Sequence, residues 1–81
     1  MKNRLKIERA ILDLTQEELA QKIGVSRQTI NSIEKNRYVP STVLALKLSK
    51  LFGKPVNEFF ELEEGDWVKI WGIDHLNGRY L

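Results

Sequence analysis

The sequence predicts an all-α fold of five short helices, followed by a short C-terminal extension in which β-strands are expected. Three observations carry this. Thr15 and Ser26 are each placed as a helix N-cap and Pro40-Ser41 as a helix start, all ahead of apolar residues at helical spacing, and Gly24 and Gly53 stand where such runs should stop. After residue 65 the pattern changes to β-branched and aromatic residues on both faces, with Asn77-Gly78 as a two-residue hairpin signal.

The first helix is expected over residues 2–12, with Leu5, Ala10, Ile11 and Leu12 available for the core. The second is capped by Thr15, and Glu18 three residues later can reach back to the cap as the other half of a capping box. Its inward face is Leu19, Ala20 and Ile23, with Ala20 small enough for close helix approach. Gly24 ends it because glycine adopts left-handed dihedrals without strain, and Val25 fills the wedge before the next cap. Ser26 opens the third helix, whose inward residues are Ile30 and Ile33. Pro40 and Ser41 start a fourth helix over 41–52 with Leu44, Leu48, Leu51 and Phe52 inward, closed by Gly53. Pro55 then sets up a fifth, short helix from Val56 to about Phe60 that packs Phe59 or Phe60 on the bundle.

The outward face of the third helix is made of hydrogen-bonding side chains. At about 100° per residue, Gln28, Asn31, Ser32 and Lys35 lie opposite Ile30 and Ile33, with Arg27 at the flank. Gln and Asn can bind adenine through N6 and N7, Arg can bind guanine, and Ser adapts to either. A helix with such residues near its N-terminus suits the major groove of DNA. A polar outward face is ordinary for an isolated helix; the capped helix and glycine turn upstream are what favour the groove-reading alternative.

Residues Leu14-Thr15-Gln16-Glu17-Glu18-Leu19-Ala20, Ile23-Gly24-Val25-Ser26, Ile30, Ile33, Glu34, Asn36-Arg37 and Pro40-Ser41 together resemble the Cro/C1-type, phage-repressor-like helix-turn-helix family, also called XRE. The resemblance runs from Leu5 to about Glu63 and is strongest to short stand-alone members in which Ser-Arg-Gln-Thr-Ile-Asn opens the recognition helix. It implies a compact five-helix, lambda-repressor-like DNA-binding domain over residues 1–63; the resemblance stops there, and residues 64–81 are read from their own pattern as a C-terminal extension, a β-hairpin or a dimerisation arm. It implies double-stranded operator DNA as partner, bound by a homodimer. Carried over by position, the base readers are Arg27, Gln28, Asn31 and Ser32, and the phosphate-binding residues are Gln16, Thr29, Lys35, Asn36, Arg37 and Tyr38. Arg9 and Glu34 match a partly buried structural ion pair between the first and third helices. Two positions depart from the family pattern: Asp13 stands where a glycine is common, and Arg27 where relatives carry glutamine or other polar residues. Aspartate tolerates left-handed backbone, so the first change is compatible with the fold.

Length and composition agree with one small domain. Eighty-one residues with 42% apolar side chains support one modest core. Cysteine is absent, which excludes disulfides and thiolate metal sites. No apolar stretch approaches the roughly 18 residues that suggest a membrane span, and no signal-peptide core follows the basic N-terminus, so a cytoplasmic protein is expected. The net charge of +2 is divided unevenly. Up to Phe60, eleven basic residues face six acidic ones, a net +5; from Glu61, five acidic face two basic, a net −3. A basic head fits phosphate binding through counterion release.

Catalysis is not expected, since no nucleophile with a base, metal cluster or phosphate-cradling glycine loop is visible, and no cofactor is implied. His75 stands without histidine or cysteine partners, so no metal role is assigned to it. The acidic run 61–66 is read as a hinge. In the tail, Trp67 and Trp71 have three open roles: burial against the head, pairing with a second chain, or holding a small effector. The alternative function is an antitoxin or protein-interaction module whose tail binds a protein partner.

Overall fold

The computed structural model describes residues 1–67. The strands expected after residue 67, together with Trp71 and His75, lie outside the described residues. Four α-helices enclose the core: α1 (Leu5–Ile11), α2 (Gln16–Ile23), α3 (Arg27–Glu34) and α4 (Thr42–Phe52). Two short strands, β1 (Lys2–Asn3) and β2 (Phe60–Glu61), pair antiparallel, Lys2 opposite Glu61 and Asn3 opposite Phe60. The chain therefore closes on itself, its start hydrogen-bonded to the segment after the last helix.

Local chemistry sets the central elements. The Thr15 hydroxyl accepts from the Glu18 backbone N–H at 3.0 Å, while the Glu18 carboxylate accepts from the Thr15 N–H at 2.9 Å. These bonds satisfy two donors that a helix start leaves unpaired, and hold the Glu18 carboxyl below its usual range. Ser26 and Ser41 cap α3 and α4 through the Thr29 and Leu44 N–H groups, each at 3.2 Å. Gly24 ends α2 at φ +75°; the atom nearest to an added Cβ there would be the Lys47 Nζ at 3.9 Å, so backbone conformation rather than crowding selects glycine. Asp13 takes φ +55°, the left-handed geometry expected of it.

The core is Leu5, Leu19, Ala20, Ile23, Ile30, Ile33, Leu44, Leu48, Phe59 and Phe60, with Val25, Leu51 and Phe52 packed partly buried against it. Phe52 meets Phe59 edge-to-face at 5.1 Å. Among the pairs of elements, α2 and α3 share the most extensive packing.

Two expected helices change. The first helix begins at Leu5 rather than Lys2, because the Asn3 side-chain oxygen accepts from the Leu5 N–H at 3.1 Å and the backbone ahead of it pairs as β1. Of its expected core residues Leu5 alone is buried; Ala10, Ile11 and Leu12 are exposed, Ile11 to 63%. The inward position one turn after Leu5 is Glu8, 3% exposed, whose carboxylate meets the Lys54 ammonium at 2.9 Å. The fifth helix is instead a 3₁₀ turn over Val56–Glu58 that runs into β2. Val56 and Asn57 are indifferent helix formers, a helix this short cannot recover its nucleation cost, and Phe60 pairs with Asn3 instead. Both phenylalanines, expected as alternatives, are buried.

The acidic segment expected to act as a hinge is tied to the start of the chain. The Met1 ammonium sits 2.8 Å from Glu63 and 3.1 Å from Asp66. Glu63 and then Asp66 raise the pKa of that ammonium above 8.0. Asp66 is held below its ordinary value by the Glu63 backbone N–H first and the ammonium second.

Candidate nucleic-acid interface

α3 presents two faces because Ile30 and Ile33 anchor one of them. With those side chains fully buried under α2, Arg27, Gln28 and Lys35 are exposed, and Thr29, Asn31 and Ser32 are partly exposed. No acidic residue occupies the first turn of α3, so the partial positive charge of its N-terminus is not offset from within the turn. The Thr29 hydroxyl lies 3.0 Å from that of Ser26, which places it beside the cap.

Beyond α3 the backbone reverses at Asn36, φ +59°, and the loop returns past the outward face. Gln28, Thr29, Ser32, Arg37 and Tyr38 then line one open concavity of about 330 Å³. Two expected base readers, Gln28 and Ser32, thus share a wall with three residues expected to contact the phosphate backbone, Thr29, Arg37 and Tyr38. Tyr38 remains about half exposed, its ring available to a surface laid against α3.

A second group surrounds the junction of α1, α2 and α3. Arg9 donates through Nε to Glu34 Oε2 at 2.8 Å and through Nη2 to Glu34 Oε1 at 3.2 Å, a two-pronged pair. Its Nη1 donates to the Leu14 carbonyl at 2.8 Å. Gln16 Nε2 also donates to Glu34 Oε1, at 3.1 Å, and Asn31 Nδ2 approaches Gln16 Oε1 at 3.5 Å. The expected ion pair of Arg9 and Glu34 and the separately expected DNA contacts Gln16 and Asn31 are therefore one connected polar group. Lys35 and Arg27 are not part of it.

Asn3 was missed by sequence reasoning. Its Nδ2 donates to the Ile33 carbonyl at 2.8 Å and to Asn36 Oδ1 at 2.9 Å, fixing the reversal after α3 and leaving the Asn36 amide nitrogen as its donor. An asparagine two residues ahead of a helix start is a local turn signal, and that would have placed it. Glu8 and Lys54 carried no such signal, because their 46-residue separation is bridged only in the folded chain. Among the described residues, no group of three or more His, Cys, Asp or Glu side chains is arranged to hold a metal, and no helix is long and apolar enough to cross a membrane.

The model of the helix-turn-helix family matches residues 5–59, spanning α1 to the 3₁₀ turn. The chain belongs to the Cro/C1-type helix-turn-helix family. It is 53% identical over 66 residues to an HTH-type transcriptional regulator of Methanocaldococcus jannaschii, covering 82% of this chain and all of the relative. It is 48% identical over 64 residues to the HTH-type transcriptional regulator YgzD of Bacillus subtilis, covering 79% and 97% of the two chains. The solution structure of the SOS-response transcriptional repressor LexA from Eubacterium rectale is similar with a TM-score of 0.65 and 27% identity, over 82% of this chain and 70% of that one.

Proposed function

We propose that this helix-turn-helix protein is a sequence-specific DNA-binding transcriptional regulator that represses by occupying its operator, reading it with the helix that follows Ser26. The observation that carries the reading is the outward face of α3: exposed Arg27 and Gln28 and partly exposed Asn31 and Ser32, held by two isoleucines with no exposure beyond 1%. Those four side chains supply the donors and acceptors that distinguish base edges in the major groove. Gln16, Thr29, Lys35, Asn36, Arg37 and Tyr38 surround them as phosphate contacts that fix register without reading sequence. The relatives in Methanocaldococcus jannaschii and Bacillus subtilis, named as transcriptional regulators, support the same reading.

The chain acts as a homodimer in this reading, its two recognition helices about 34 Å apart on a near-palindromic site. Residues 1–63 form the DNA-binding domain, and the extension over 64–81 serves the second copy or a protein partner. Sedimentation at operator-binding concentrations should give a dimer; a monomer there removes the palindrome.

Selection of bound sequences from a random duplex pool tests the function. An inverted repeat should be enriched, and affinity should fall with salt at a log–log slope of about −0.9 per phosphate contact. On the selected site, Gln28→Ala should cost about 1 to 3 kcal/mol and relax preference at one base position. Gln16→Ala should weaken binding to all duplexes, scrambled ones included. An equal loss from Gln28→Ala on random DNA would contradict its role as a base reader.

A further inference from the structure

We infer that Glu34, the carboxylate enclosed at the junction of α1, α2 and α3, is the positioning residue that fixes the amide orientation of Gln16 and, through it, of Asn31. The inference rests on the DNA-reading proposal above and deepens it. Glu34 is enclosed between the helices rather than presented to phosphate. Its side chain is 7% exposed and its two oxygens accept bonds from Arg9 and Gln16 together. Arg9 supplies the countercharge, so the carboxylate presents acceptors without presenting unbalanced charge.

The consequence lies in the side-chain amides. A glutamine can turn its oxygen or its nitrogen toward a neighbour, and the two orientations differ little for an isolated residue. Beside a carboxylate they differ greatly, because only the NH₂ group can donate to it. Glu34 Oε1 therefore takes one N–H of Gln16 and turns Gln16 Oε1 toward Asn31 Nδ2, at 3.5 Å. What remains is set by subtraction. Gln16 keeps one N–H, the donor a phosphate oxygen requires. Asn31 keeps one N–H and its carbonyl oxygen, the donor and acceptor pair that an adenine edge requires. With the Gln16 amide reversed, an oxygen would face both Glu34 and the phosphate, and Asn31 would lose its neighbouring acceptor.

Glu34 thus acts on DNA through Gln16, and a double-mutant cycle reads that directly. Wild type, Gln16→Ala, Glu34→Gln and the double variant are titrated on the selected operator and on a scrambled duplex. Gln16→Ala should weaken binding about tenfold, the loss of one hydrogen bond to a charged group. Glu34→Gln should weaken it by a similar factor, with the larger loss on the selected operator, where Asn31 reads a base, and the double variant should bind no more weakly than the worse single variant. Losses that multiply to about a hundredfold would overturn the inference, since Glu34 would then act independently of Gln16. The free wild-type protein gives a second readout that needs no variant: the two side-chain amide protons of Gln16 should be well separated by NMR, one shifted downfield by the carboxylate. Amide protons at the positions of an unbonded glutamine would overturn the inference even if Glu34→Gln fails to fold. Absence of any wild-type DNA binding would overturn the DNA reading as well, and so is distinguishable from losses that multiply.

Discussion

Glu8 and Arg9 are neighbours on α1, yet they hold different parts of the molecule in different ways. Adjacent helical residues point about 100° apart. Glu8 turns inward to Lys54 beyond α4, where the pair joins two elements and touches no residue of the outward face of α3. Arg9 turns to Glu34 and to the Leu14 carbonyl, and its carboxylate partner is shared with Gln16. The first pair is a clasp for the fold. The second is a clasp that also aims side chains, and the same chemistry has two uses because of what stands beside it.

Breaking each clasp should separate those uses. Lys54→Met leaves the Glu8 carboxylate buried without its countercharge, and should destabilise the fold by about 3 kcal/mol in urea unfolding. The DNA affinity of the folded fraction should not change. Arg9→Met should cost a similar stability, about 3 kcal/mol, but should also weaken binding to every duplex, selected or scrambled. Equal effects of the two variants on DNA affinity would erase the distinction.

Smaller changes sharpen it further. Gly24→Ala forces a Cβ into left-handed backbone and should cost about 1 to 2 kcal/mol of stability, with weaker binding only as far as α2 and α3 lose their mutual orientation. Thr15→Ala removes half of the capping box and should cost about 1 kcal/mol. The capping box also gives a pH signature. The folded Glu18 carboxyl titrates below its ordinary value of 4.5, so its contribution is present above that pH and is lost as pH falls through the lower folded value. Thr15→Ala should remove that part of the acid sensitivity.

The smallest effect belongs to the chain start. The Met1 ammonium has a raised folded pKa, so its contribution is complete below pH 8.0 and fades as pH rises through the higher folded value. Asp66 titrates in the opposite sense, with its contribution present above 3.8 and lost below. The contact between Met1, Glu63 and Asp66 is therefore strongest between these limits. Protection from hydrogen exchange at residues 61–66, taken relative to the base-catalysed rate of an open amide, should fall under alkaline conditions without a change in the melting of α2 and α3. Uniform loosening of the whole chain would contradict this.

The same contrast explains what could be read from the sequence. For α2 and α3 every local signal agreed: Thr15 with Glu18, Gly24, Ser26, and isoleucines at the inward positions, so helix limits, core face and outward face all followed. The ends of the domain were harder because tertiary partners decided them. Ile11 and Leu12 are exposed while Glu8 is buried, an inversion that makes sense only once Lys54 arrives from the far side of α4. The 3₁₀ turn and β2 replaced an expected helix because Asn3 was waiting as a strand partner for Phe60. At the candidate interface, the residues on α3 were legible from their angles. Their connection through Glu34 was not, because sequence spacing cannot show that two residues share one carboxylate oxygen.

The outward face of α3, with Gln16 and the loop over 36–38, is the surface proposed to meet DNA. Titrating isotope-labelled protein with the selected duplex and following backbone and side-chain amides by NMR tests it most directly. Arg27, Gln28, Asn31 and Ser32 should shift most, followed by Gln16 and residues 36–38, while Glu8, Lys54 and residues 60–66 stay in place. Shifts centred instead on the exposed Val43 and Leu46 of α4, with α3 unmoved, would contradict the account.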